Sequence, residues 1–76
     1  MSKVEQLIEY AIADIVDMIA VEQLIEYDEA MNKFYNSKVF DKLQDIETGL
    51  YLESPAYIYD LFKDEMNFGK IIQAEI

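Results

Sequence analysis

Apolar positions in the first part of the chain recur at helical spacing. Val4, Leu7, Ile8, Ala11, Ile15, Met18 and Ile19 follow the i, i+3, i+4, i+7 rule, with Glu5, Glu9 and Asp17 on the far side. Ser2 suits the N-cap, and Glu5 three residues on suits a capping box. The early acids also complement the positive end of the helix dipole.

The heptapeptide VEQLIEY at Val4–Tyr10 returns at Val21–Tyr27, offset by 17 positions. At about 100° per residue, such an offset leaves a rotation of about 260° after whole turns. In one straight helix, Glu22 and Glu26 would therefore lie on the stripe begun by Val4, Ile8 and Ile15. Burying those carboxylates without partners is costly. Three solutions exist. The helix end projects past the core, the chain bends before Asp28, or Val21, Leu24 and Ile25 face another neighbour such as a second subunit. The favoured reading is a first helix over about 2–24 whose last turns switch faces, then a turn near Ile25–Asp28 with Asp28 as the next N-cap. Solenoid arrays need more copies at longer periods.

A second helix follows over about 28–36, with Ala30, Met31, Phe34 and Tyr35 as its apolar face. Asn36–Lys38 interrupts the pattern. Ser37 can cap a short helix over about 38–45, with Val39, Phe40 and Leu43 inward; the alternative is one bent helix from Glu29 to Gln44. The stretch 45–54 reads as an extended loop, with Gly49 as a turn signal. Within it either Leu50 and Leu52 face the core and Tyr51 the rim, or the reverse. Ser54 as N-cap and Pro55 at the first helical position mark a last helix over about 55–67. Its buried stripe is Ile58, Leu61, Phe62 and Met66, and Gly69 lies just past its end. The tail KIIQAEI, 70–76, is apolar enough either to fray or to pack. The fold class is thus all-α, a single domain over 1–76: three main helices and a short one in an antiparallel bundle. The expected core is Ile8, Ala11, Ile12, Ile15, Ile19, Phe34, Phe40, Leu43, Ile58, Leu61 and Phe62.

Composition narrows the functions open to this bundle. The 76 residues contain no cysteine and no histidine, which removes disulfides, thiolate metal sites and the usual nucleophile–base pairs. Apolar residues make up 53% of the chain, enough to leave surface for a partner or a second copy. Sixteen acids face six bases, all lysine, for a net charge of −10. Such a surface repels phosphate backbones and anionic lipid, so neither nucleic acid nor membrane is an expected partner. No signal peptide or bilayer-spanning run is evident, and a cytoplasmic location is expected.

Candidate chemistry is thin. Ser37 and Lys38 are adjacent and do not face each other on a helix. Asp41, Asp45 and Glu47 form the densest oxygen cluster, but the register of a calcium loop fails from either Asp41 or Asp45. No catalytic, metal or cofactor residue is assigned. The aromatic surplus is more informative. Core plus amphipathic rim accounts for most of it, and a tyrosine-rich docking face is the functional reading. Tyr57 and Tyr59, two apart on a helix, do not both point inward. Tyr59 is expected to be the exposed one and a partner contact, with Tyr51, Val21, Leu24 and Ile25.

Between Asp28 and Met66 the chain carries Glu29-Ala30, Ser37, Gly49-Leu50-Tyr51 and Ser54-Pro55-Ala56-Tyr57. This half resembles a group of short uncharacterised bacterial helical proteins, some encoded beside toxin-like genes. The resemblance implies a shared helical fold and brings no catalytic residues with it. The expected function is a non-enzymatic interaction module, an adaptor or antitoxin-like inhibitor that covers a basic patch on a protein partner. The alternative is a structural homodimer closed by Val21, Leu24, Ile25 and the tail. A carboxylate-based enzyme or cation binder ranks last.

Overall fold

A computed structural model describes residues 2–69; the 70–76 tail lies outside the described residues. The chain forms α1 (Lys3–Gln23), α2 (Tyr27–Tyr35), α3 (Lys38–Gln44), two 3-10 turns (Ile46–Thr48 and Leu50–Leu52) and α4 (Pro55–Phe68). The all-α bundle expected from periodicity is what forms, with no strand among the described residues. Helix α1 packs against α2, α4 and the Leu50–Leu52 turn, while α3 packs against α2 and α4.

Local chemistry sets most boundaries. The Ser2 hydroxyl accepts from Glu5 N–H at 3.1 Å, and Glu5 Oε1 accepts from Ser2 N–H at 3.0 Å, completing the capping box. Ser37 divides α2 from α3, so the bent-helix alternative is not the one adopted. Its buried hydroxyl donates to the Phe34 carbonyl at 2.6 Å and accepts from Phe40 N–H at 3.2 Å. One side chain thereby satisfies the end of one helix and the start of the next. Ser54 accepts from Tyr57 N–H at 3.2 Å ahead of Pro55, and Gly69 ends α4 with φ 74°.

The two VEQLIEY copies adopt different structures. The first lies wholly within α1. The second contributes only Val21, Glu22 and Gln23 to that helix. Leu24 then turns left-handed, with φ 55° and ψ 47°, and the Ala20 carbonyl accepts from both Leu24 N–H and Ile25 N–H. This exit resolves the phase conflict. Glu22 stays on the helix and meets Lys63 at 3.8 Å, while Glu26 leaves it to become the N-cap of α2. Asp28, expected as that cap, lies in the first turn of α2 instead, where it still complements the dipole.

Leu24 is a leucine where glycine is preferred, and it is 90% exposed. Its Cβ strain is not offset by packing. Leu24→Gly should therefore stabilise the fold by about 0.5–1 kcal/mol. Leu24→Ala, which keeps the Cβ, should not. Thermal melts of the two variants check this; a lower midpoint for Leu24→Gly would contradict a strained turn.

The buried core is Ile8, Ala11, Ile15, Val16, Ile19, Ala30, Phe34, Val39, Leu43, Leu50, Ile58, Tyr59, Leu61 and Phe62. Ile12 and Phe40, expected fully inside, are half-buried and pack against it. Four further expectations need correction. The stretch 45–54 is not extended but forms the two 3-10 turns, with Gly49 between them at φ 68°. With three residues per turn, Leu50 and Leu52 do not share a face, so Leu50 is buried and Leu52 exposed. Met66 is exposed, and Glu65 takes the inward position on the last turn of α4. Tyr59 is buried rather than exposed, while Tyr57 is half-buried. Helix α4 packs against both α1 and α3, which widens its buried arc beyond a single stripe.

The inward Glu65 has a definite task. Its two oxygens accept from Lys38 N–H at 2.8 Å and Val39 N–H at 3.0 Å. A carboxylate from α4 thus caps the N-terminus of α3, where charge and orphan donors both favour it.

Candidate partner groove

The residues that face outward between α1, α2 and α3 leave an open groove of about 860 Å³. Helix α1, with its N-cap Ser2, supplies Glu5, Ile8, Glu9, Ile12 and Ala13, a stripe repeating at helical spacing. Helix α2 supplies Tyr27, Met31 and Tyr35, each one turn after the last. Phe40 and Gln44 come from α3 and Ile46 from the turn after it. Ile8 is buried and Ile12, Met31 and Phe40 are half-buried, so they form the base. Tyr27, Tyr35 and Ile46 are 42%, 45% and 56% exposed and form the rim.

This base is anchored to the core by aromatic contacts. Tyr35 lies 4.7 Å from Phe40 between ring centroids, and Phe40 meets Phe34 edge-on at 5.6 Å. Phe34 in turn meets Phe62 at 5.7 Å. Such edge-to-face pairs resist sliding as well as adding contact. The charged residues lining the groove are Glu5 and Glu9, both acidic. The bond from Ser2 N–H, with the Ser2 hydroxyl second, holds the Glu5 carboxyl below the usual carboxylate range. Glu5 therefore keeps its charge into mildly acidic solution. Both tyrosine hydroxyls add polar atoms to an otherwise apolar rim.

The five contact residues expected from sequence do not line this groove. Val21 and Leu24 are exposed at the α1–α2 turn, at 71% and 90%, and Ile25 beside them is half-buried against the core. Tyr51 is half-buried on the Leu50–Leu52 turn. Tyr59 stacks on Phe62 at 6.3 Å, with Lys63 Nζ 4.9 Å from its ring centroid. Lys63 also lies 3.6 Å from Asp60 and 3.8 Å from Glu22, so it is shared between a ring and two carboxylates. Sequence reasoning passed over Tyr27, Met31 and Tyr35 as a set. Their signal was the i, i+4, i+8 spacing, hidden because Tyr27 falls inside the repeated heptapeptide.

The Tyr59 hydroxyl is buried and makes no hydrogen bond. Burial first, then the carboxylates of Glu22 and Asp60, push its pKa up to about 12 from 10.0. The folded state thus disfavours tyrosinate. Stability from this site is intact below pH 10 and is lost as pH rises toward about 12. Tyr59→Phe should flatten the alkaline decline of the thermal midpoint across that window. It should also cost little at neutral pH, since it removes a buried hydroxyl without a partner. An alkaline decline equal to that of the parent chain would contradict the assignment.

Asp41, Asp45 and Glu47 do not form a metal-holding group, and no group of three or more candidate ligands occurs among the described residues. Asp45 Oδ1 instead accepts from Glu47 N–H at 3.1 Å, fixing the first 3-10 turn. Among the described residues no helix is long and apolar enough to cross a membrane. Comparison with protein families, curated proteins and solved structures returned no match.

Proposed function

We propose that this protein is a non-enzymatic interaction module that holds a basic protein partner. The observation that supports it is the open aromatic groove, whose charged lining residues are both acidic, on a chain of net charge −10. Aromatic rims over an apolar base are typical of interface hot spots. The charge favours encounter with basic proteins and disfavours acidic ones. Tagged protein in its native cells should recover one basic partner in stoichiometric amount. The pair should re-form from purified components and weaken several-fold between about 0.05 and 0.5 M salt. Repeated failure to recover a specific partner would defeat this reading. An adjacent toxin-like gene whose product is that partner would make the module antitoxin-like; an unrelated partner would make it an adaptor.

A second reading rests on the α1–α2 turn. Val21 near the end of α1 and Leu24 at the left-handed turn after it present bare aliphatic surface at 71% and 90% exposure. A second copy of the chain is the occupant in this reading, closing an isologous dimer. Self-repulsion opposes it, so dimerisation should strengthen with salt, opposite to the groove complex. Light scattering across dilution and salt separates the two; a monomer at high concentration and high salt removes the dimer.

A further inference from the structure

We infer that the groove receives an amphipathic helix of about three turns, with lysine or arginine on the flank that faces α1. This rests on the interaction-module reading and names what the module holds.

Length comes first. The α1 wall runs from Ser2 to Ala13, a rise of about 16 Å, and the α2 wall from Tyr27 to Tyr35, a rise of about 12 Å. Three turns of a visiting helix match that span. Chemistry comes next. The base is aliphatic, thioether and aromatic, from Ile8, Ile12, Met31 and Phe40, and suits leucine-like side chains at i, i+3/i+4 and i+7. Met31 adapts its shape to the visitor. Glu5 and Glu9 lie on the α1 wall one turn apart, the spacing at which a helix presents successive basic residues. Tyr27 and Tyr35 line the α2 wall, where their ring faces suit further cations. The described residues offer no strand edge for an extended peptide to join.

The test uses a synthetic Leu/Lys amphipathic helical peptide of fourteen residues as the probe, a length of about 21 Å that covers the groove with one turn to spare. Isotope-labelled protein titrated with it should show its largest amide shifts at Ile8, Ile12 and Met31. Glu9→Lys should weaken the probe about tenfold, whereas Glu53→Lys, the same charge change on the exposed loop, should stay within about twofold. Tyr35→Ala should also weaken it about tenfold, with its melting curve recorded because Tyr35 packs on Phe40. Equal losses for Glu9→Lys and Glu53→Lys would reduce binding to general attraction and overturn the inference. Shifts confined to Val21–Leu24, no binding of the probe, or tighter binding of a proline-rich basic peptide would also overturn it. In each of those cases a recovered stoichiometric partner would leave the module reading standing, because it would dock elsewhere.

Discussion

Replacing Glu65 with alanine should destabilise the fold by about 2–4 kcal/mol. The side chain is buried, and its two oxygens take the first two backbone donors of α3 at 2.8 and 3.0 Å. Truncation leaves Lys38 N–H and Val39 N–H without acceptors, and the Val39 donor has no water to turn to. It also removes the negative charge from a helix N-terminus. In a domain of this size the thermal midpoint should drop by roughly 10–25 °C. Glu65→Gln should fall between, since an amide offers one acceptor and turns its NH2 against the other donor. Asp64→Ala, one residue away with no capping role, is the control and should stay within about 0.5 kcal/mol. Amide exchange gives a local reading: in Glu65→Ala, the first turn of α3 should lose protection before α1 does. A midpoint within about 2 °C of the parent, on the same scale, would show that the cap is not what fixes α3.

Phe34→Ala should cost more, about 3–5 kcal/mol. Phe34 is fully buried and meets Phe40 and Phe62 edge-on at 5.6 and 5.7 Å. It also sits one turn before Ser37, which binds its carbonyl at 2.6 Å. A cavity there loosens three helices together. Total stability for a chain of this length is roughly 4–11 kcal/mol, so most of it is at stake. The variant should keep much of its helical far-ultraviolet signal while losing the near-ultraviolet signal of packed tyrosines. Phe34→Leu should recover much of the loss by refilling the space. Denaturant unfolding followed by both signals checks this. A coincident, sharp transition at the parent's midpoint would mean that the aromatic contacts are incidental.

How far the sequence disclosed this architecture depends on the range of the forces involved. Ser2, Ser37, Ser54 and Gly69 act on neighbours a few positions away, and their roles were readable from composition and order. The α1 stripe through Ile8, Ile15 and Ile19 was readable for the same reason. Glu65 was not, because its partners lie 26 and 27 positions back. A carboxylate on an apolar stripe reads as solvent-facing until a helix terminus is placed against it. Tyr59 was misjudged on similar grounds, since Glu22, far back in the chain near the end of α1, comes beside it. Leu50–Leu52 alternates like a strand, but the left-handed Gly49 and the i+3 bonds from Leu52 N–H to the Gly49 carbonyl and from Glu53 N–H to the Leu50 carbonyl make it a 3-10 turn. The groove required the approach of α1, α2 and α3, and its rim residues came from α2 and the 3-10 turn after α3, whose relative placement no periodicity gives.

Leu7 and Leu24 hold the same place in the repeated heptapeptide, yet one has right-handed helical geometry and the other its reverse. The words are identical; the stereochemical demand is opposite. A mirror-image leucine installed by chemical synthesis would suit the backbone at 24 and break α1 at 7. Backbone handedness at a single residue thus distinguishes two stretches that their side chains do not.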